Sequence, residues 1–526
     1  MKTILKKIVT LLLVLFFCSK IFANGITITN VSFLPSTNQI QFDVNWENSW
    51  RSDVLGNWDA AWVFAKFKNL NGNWEDIKFQ DTGYVIPSGY SLYTLGDVNG
   101  LGVFLYRSAT GSGTSTLAGV KLKIYNSNVN NSPYVVSTGA YDVKVFGIEM
   151  VYIPQGPFWA GDNASISAFK PLTGGFSSLY VNSPSLESLS IPNGITNFDP
   201  NTAATYLNST GSLYPTGYKA FYCMKYEISQ GAYRDFLNTL NITQQSNHIA
   251  ASTLSSPGTG AFGSFLNSAS IKIASSGSAA GPAVFGCDVN NNNIYNEAGD
   301  GEWVSCNYLT WPDVAAYLMW AGLNAMTELQ FEKVCRGPLQ PVANEYVWGN
   351  TSIAAGNLTF ANAYHVHEIV SNASTTLGNA NYNSIFNNPN VRPSRNGIFA
   401  TATSNRTTSG GAFYGVMDMS GNLWERVVTV SKIQGIGFRG FLGAGSYGLS
   451  SLGFSIDNSL PGGGGFGSTG VVDGTRPALG LMYRGGAHDS PAPFLKISER
   501  GNANLVTNND NTRESNLGGR GVFNIP

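Results

Sequence analysis

The stretch Gly415-Val-Met-Asp-Met-Ser-Gly-Asn-Leu-Trp-Glu425 decides how this chain is read. Its Gly421-Asn422 step is turn chemistry, because a short Asn side chain satisfies backbone N–H groups and tolerates a left-handed backbone. The cysteines stand at 18, 223, 287, 306 and 335, so no thiol follows the stretch. Charged residues make up only 12% of the 526 against a typical ~25%, while Gly numbers 60, which predicts a polar but weakly charged surface. There is no basic stripe for nucleic acid.

Three helices are predicted upstream. Ser229 is an N-cap, and Tyr233, Phe236, Leu237 and Leu240 after it fall on one helical face. Thr310 and Asp313 make a capping box ahead of the stripe Val314, Tyr317, Leu318 and Ala321. A third helix opens at the box Thr327-Glu-Leu-Gln330, turns Phe331 and Val334 inward and ends at Arg336-Gly337.

Nearer the start, from Gly25 to about Gly147, the pattern has period two. Ile40, Phe42, Val44 and Trp46 alternate with polar residues, and so do Val120, Leu122 and Ile124, and Tyr141, Val143 and Val145. Turn signals at Leu70-Asn-Gly-Asn73 and Val98-Asn-Gly100 separate strands with one wet face, which predicts a small antiparallel β-sandwich. Trp46, Trp50, Trp58 and Trp62 are either packed in its core or a carbohydrate platform. At Glu149-Met-Val-Tyr-Ile-Pro-Gln-Gly-Pro-Phe-Trp-Ala-Gly-Asp162 the texture changes and a second domain begins.

The DMxGNxWE run of the opening stretch resembles the formylglycine-generating enzyme, or sulfatase-modifying factor, superfamily. Residues 149–162 are similar to its opening strand, and Phe221 to Leu237 to its next strand and first helix. Trp311 to Gly337 resembles its second helical block, with Asn324-Ala-Met326 in place of R-L-P and Leu318 in place of a common cysteine. Tyr483-Arg-Gly-Gly-Ala-His488, Glu499-Arg500 and Gly518-Gly-Arg-Gly-Val522 are similar to its closing R-G-G-S-W, A-x-R and G-F-R elements. The resemblance covers about 149 to 526. It implies a formylglycine-generating-enzyme-like (C-type-lectin-like) domain at 148–526, which with the N-terminal antiparallel β-sandwich read at 24–147 and a signal peptide read at 1–23 makes an α+β chain. Long Gly, Ser and Asn-rich loop insertions interrupt that domain at roughly 163–219, 248–300, 369–411 and 430–480.

The active enzymes of that superfamily oxidise a substrate cysteine with a cysteine pair near their own C-terminus. The matching segment Arg484 to Arg500 contains no sulfur, so the resemblance comes without the thiols of the best-known reaction. The alternative enzyme reading, a metal-dependent oxidoreductase, must draw on His248, His365, His367 and His488. On a strand, His365-Val-His367-Glu368 would point both rings to one face and hold a metal if a third ligand arrived; otherwise it is a loop pair. His488 beside Asp489 is an acid–base pair or a simple hydrogen bond. Copper or iron is not expected.

Calcium is expected, as a structural ion. The resemblance implies a site at Asn422 and Glu425 completed by the backbone oxygens of Gly421 and Leu423, and Asn357-Leu358 matches a second calcium element. Independently, Asp288-Val-Asn-Asn-Asn-Asn-Ile-Tyr-Asn-Glu-Ala-Gly-Asp-Gly-Glu302 begins like the D-x-N-x-N of a calcium loop and offers Asp288, Asn290 and Asn292. It lacks the usual glycine, so it is either such a loop or an Asn-rich one pinned by flanking cysteines.

The cationic Met1-Lys-Thr-Ile-Leu-Lys-Lys, the apolar run Ile8 to Phe17 and the small Ala23 read as a secretory signal; removing its four lysines takes the formal charge from -1 to about -5. Cys18 follows Phe16-Phe17, a poor setting for lipid attachment. The mature protein is therefore expected to be exported (extracellular, cell-surface or periplasmic), with no transmembrane segment. In an oxidising compartment a Cys287–Cys306 bridge would contribute ~3 kcal/mol, while Cys223 and Cys335 either pair or stay as buried thiols. The leading functional reading is a non-catalytic binding or surface-assembly protein for an unidentified protein or glycan. Its ligand surface is predicted at Tyr483, Arg484, His488, Phe494 and Arg500, beside the Asn502-Ala-Asn504 to Asn516 run and the Gly-rich loop Pro461 to Thr469, with Arg484 and Arg500 as internal ties the competing reading.

Overall fold

The computed structural model describes residues 25–525 except 70, 95–99, 126–141, 165–167, 170–177, 187–212, 264–269, 384–390, 441–447, 465–469, 502–505, 507 and 509. The expected signal peptide, the Val98-Asn99 turn, Asn502-Ala-Asn504 and the outer part of the Pro461–Thr469 loop lie outside the described residues.

The chain opens with eight strands: β1 (Thr27–Leu34), β2 (Gln39–Ser52), β3 (Asn57–Lys68), β4 (Trp74–Ile77), β5 (Tyr90–Tyr93), β6 (Gly102–Arg107), β7 (Gly111–Lys123) and β8 (Val143–Ile153). β2 alternates as its sequence predicts, with Ile40, Phe42, Val44 and Trp46 buried between half-buried neighbours. β3 departs from that expectation: it is buried almost without interruption, because each of its faces meets a different core. Ala61, Val63, Ala65 and Phe67 pack with β2 and β7 side chains, while Ala60, Trp62 and Phe64 point into a second core built largely from the helices.

Later strands extend the same sheet. With β9 (Phe221–Met224), β10 (Asn324–Ala325), β11 (Glu425–Val428), β12 (Leu481–Arg484) and β13 (Gly521–Asn524), the order is β1-β2-β3-β8-β9-β13-β10, and β11 pairs with β12 apart from it. Ladders between these strands are antiparallel. β8 is the join: Val143 to Val151 pair with β3 on one edge, and Met150 to Ile153 with β9 on the other. The domain boundary expected at 147/148 thus falls inside a strand. Beside the join, the Lys225 ammonium bonds Asp59 of β3 at 3.1 Å and Glu149 of β8 at 3.0 Å, all three buried.

The predicted helices form where their caps lie. In α1 (Gln230–Leu237), Ser229 accepts from the Ala232 N–H. A short α2 (Ile242–His248) follows, with its own Asn241/Gln244 capping box. In α3 (Trp311–Trp320) and α4 (Glu328–Arg336), the boxes Thr310/Asp313 and Thr327/Gln330 are both closed. α3 is tied down on β3: Trp62 Nε1 donates to the Ala321 carbonyl at 2.8 Å, and Lys66 Nζ to that of Trp320 at 2.9 Å. The architecture is α+β, antiparallel sheets with few helices.

The tryptophans divide accordingly. Trp46 and Trp62 are core residues, and Trp50 packs against Gly415 of the opening stretch. Only Trp58 combines partial exposure with aromatic stacking, on Tyr152 at 4.0 Å and Tyr106 at 5.2 Å.

Candidate functional site

The 415–425 stretch folds as a chain of turns holding four left-handed residues: Gly415, Asp418, Gly421 and Asn422, with φ of 87°, 60°, 87° and 69°. A Cβ on Gly421 would stand 2.4 Å from the Asn381 carbonyl oxygen, so only glycine fits there. The Asn422 side chain is fully engaged. Its Nδ2 donates to Glu227 at 2.5 Å and Ser305 at 2.7 Å, and its Oδ1 accepts from the Ser394 N–H at 2.8 Å and from Asn381 at 3.2 Å.

Past this knot the chain emerges at Trp424, which is half-buried and ends the turn by donating its N–H to the Asn516 carbonyl. The next strand, β11, sets Arg426 opposite Tyr483 of β12. Tyr483 Oη donates to Asp510 at 2.8 Å, and Arg426 holds the same carboxylate at 2.6 Å, which fixes the phenol ring. Trp424 lies 6.4 Å from Tyr483 and meets Phe494 edge-on at 5.6 Å. These three half-exposed rings form one row, with Asp489 and Asn516 hydrogen-bonded to each other nearby. Flat faces held by a packed turn suit apolar or sugar C–H contacts. Sequence reasoning named Tyr483 and Phe494 but missed Trp424, itself a residue of the DMxGNxWE run, which the burial of Leu423 and Glu425 on either side leaves in the outward position.

Beneath the row lie three buried carboxylates, Glu227, Asp418 and Glu425. Burial raises all three above ordinary carboxyl values, and Glu227 is raised further by its two acidic neighbours. The Arg520 guanidinium supplies the compensating charge, with Nε 2.7 Å from Glu425 Oε1 and its other nitrogens on the carbonyls of Met224 and Met417. Glu425 Oε2 is buried and has no hydrogen-bond partner among the described residues. An orphaned carboxylate oxygen fits a hard cation; the engaged Asn422 amide does not. Among the described residues no group of three His, Cys, Asp or Glu side chains is poised for a metal, so a cation here would lean on the Gly421 and Leu423 carbonyls.

Three residues expected on the ligand surface are instead internal. Arg484 is 0% exposed and pairs with Glu332 at 3.1 Å; Arg500 bonds Glu328 at 2.7 Å; His488 is 1% exposed, with its ring Nδ1 on the Asn422 carbonyl at 3.1 Å. Each is held by buried partners that no ligand would displace, and burial lowers the His488 pKa. The anticipated Cys287–Cys306 bridge is not formed: Cys223, Cys287, Cys306 and Cys335 are free buried thiols.

The calcium loop is also differently occupied. Asp288 accepts from the Asn292 and Asn293 N–H groups and meets the Lys272 ammonium at 3.4 Å, while Asn290 and Asn292 bond Asp300 and Glu297. The side-chain oxygens of Asn290 and Asn292 accept from the Asn292 and Ile294 N–H groups, so the oxygens expected to gather on calcium are spent on the loop's own backbone. Asn357 is exposed with its carbonyl taken by Asn372, and Leu358 is buried in a small apolar cluster. His365 and His367 lie side by side on a turn, not a strand, with ring centroids 4.8 Å apart. Pro461 is bound through its carbonyl to the Trp311 indole.

The family model described as the sulfatase-modifying factor enzyme 1-like domain matches residues 182–522. A comparison with curated proteins finds no match.

Proposed function

Since the chain belongs to the sulfatase-modifying factor enzyme 1-like domain family through residues 182–522, we propose that it is an exported, non-catalytic binding or surface-assembly protein on that scaffold. The observation that carries this is the position of its thiols. No cysteine follows Cys335, and the four described cysteines are buried, with burial pushing Cys223 and Cys287 up to about 12 and Cys306 and Cys335 well above the usual range. A buried, protonated thiol is a poor nucleophile and a poor metal ligand. What remains at the surface above the Asn422 turn is a binding feature, the Trp424–Tyr483–Phe494 row.

In this reading residues 24–147 are a β-sandwich spacer, supported by the core that β2 and β7 share with β3 and β6, and 148–526 are a C-type-lectin-like domain. Export rests on the composition of Met1 to Ala23, and no helix among the described residues is long and apolar enough to cross a membrane. Screening the mature chain against glycans and surface proteins should yield a ligand whose affinity falls in Trp424→Ala and Phe494→Ala at unchanged melting. The same protein, given a Cys-x-Pro-x-Arg peptide and oxygen, should leave the peptide cysteine intact. An aldehyde on that peptide, or a ligand indifferent to both substitutions, refutes the reading.

A structural calcium at Glu425, with the Gly421 and Leu423 carbonyls, is the second part of the proposal, supported by the orphaned Oε2 oxygen. Excess chelator should lower the melting temperature of the parent and not that of Glu425→Gln, because only the native state would bind the ion. A parent melting curve that ignores chelator removes calcium from the account.

A further inference from the structure

A cavity of about 580 Å³ opens where β4 and the start of β8 face the end of α1, well within the size range of small-ligand sites. Trp74, which is half-buried, is part of its lining. Two ammonium groups stand over that ring, Lys144 at 4.8 Å and Lys68 at 5.9 Å from its centroid. Asn73, Thr239 and Ser451 add neutral polar groups to the wall, and among the described residues no Asp or Glu lines the cavity. Lys68 has a loose, exposed partner in Asp142 at 3.8 Å; Lys144 has no carboxylate within 4 Å among the described residues. The acids that act on these two lysines, Asp142 and Asp235, both stand outside the cavity lining, so an anion entering the cavity would meet the ammonium groups directly. Burial lowers the Lys144 pKa, so its ammonium gains from any anion that enters.

We propose that this groove binds an acidic oligosaccharide, with Trp74 against the pyranose ring and Lys68 and Lys144 on its carboxylate or sulfate groups. A sugar fits better than a bare anion because the indole and the neutral side chains would otherwise gain nothing. The site is independent of the Trp424 row.

The test is calorimetric titration of the full chain at low salt with a galacturonic-acid trimer, sulfated maltotriose and plain maltotriose. At least one acidic trimer is expected to bind, weakening as salt is added, with the neutral trimer much weaker. Lys144→Gln and Trp74→Ala should each weaken it by roughly tenfold or more at unchanged melting, and Phe494→Ala should leave it alone. If Trp74→Ala fails to fold, Lys68→Gln on the exposed side provides the second variant. Which acidic trimer binds tells carboxylate from sulfate. Binding of neither, equal binding of the neutral trimer, or affinity that survives the lysine substitutions overturns the proposal.

Discussion

Replacing Glu328 with alanine is expected to destabilise the protein by about 3–5 kcal/mol at neutral pH, the range for breaking one side of a buried ion pair. Glu328 opens α4 and is 0% exposed. Its Oε2 is 2.7 Å from Arg500 Nε and 3.6 Å from Arg484, and its Oε1 accepts from Thr429 at 2.6 Å and the Val430 N–H at 2.9 Å. Alanine would leave two buried guanidiniums short of charge and two donors unmatched. Burial alone would raise this carboxyl, but the two arginines and Thr429 more than reverse it, so it titrates below the ordinary 4.5. A lowered folded-state pKa contributes stability that is present above the unfolded value and lost as pH falls through the folded one. The gap between parent and variant should therefore be full at pH 7 and close on acidification below about 4.5. Thermal melts across that range check it; a variant that melts with the parent at pH 7 would show that the arginines find other partners.

Arg520→Met should be comparably damaging, with the opposite pH dependence. It removes the cation on Glu425 and leaves Glu227, Asp418 and Glu425 buried together. Their folded-state values are raised by burial, so their contribution is full below the unfolded values and is lost as pH rises through the folded ones. The variant should be weakest at neutral and alkaline pH and recover part of its stability near pH 5, where protonation substitutes for the guanidinium. Adding Glu425→Gln should restore more than additivity allows, since the two residues are in direct contact. Additive losses, or a variant weaker at pH 5 than at pH 8, would mean the carboxylates are balanced elsewhere.

The parts legible in the sequence were those written locally. Ser229, Thr310 with Asp313 and Thr327 with Gln330 cap helices within their own first turns, so spacing alone was enough; Asn241 with Gln244 carried the same signal for α2 and was passed over. For Arg484 and Arg500 the sequence leaves ligand surface and internal tie both open, because Glu332 and Glu328, the partners that decide for the tie, come more than 150 residues earlier. The Asp288 loop looked like a metal site because its spacing is local, whereas Lys272, which changes its electrostatics, arrives from a neighbouring strand. The all-round burial of β3 was hidden for a related reason: its second face is covered by α3, far along the chain. Family motifs located the scaffold and the closing segment offered Tyr483 and Phe494, but Trp424 joins them only through its packing against both rings.

Strand β8 makes the two halves of the molecule one mechanical body. A pull on the N-terminal strands is not carried by a slack tether. It is carried as shear along the nine residue pairs between Asp59–Phe67 and Val143–Val151, and passes through the same backbone into β9 and the core that holds α3. Lys225, clamped to Asp59 and Glu149, acts as a rivet across that line. A load taken up at the groove beside Trp74 enters this sheet directly through β4 and β8, whereas one taken up at the aromatic row enters through the separate β11–β12 pair.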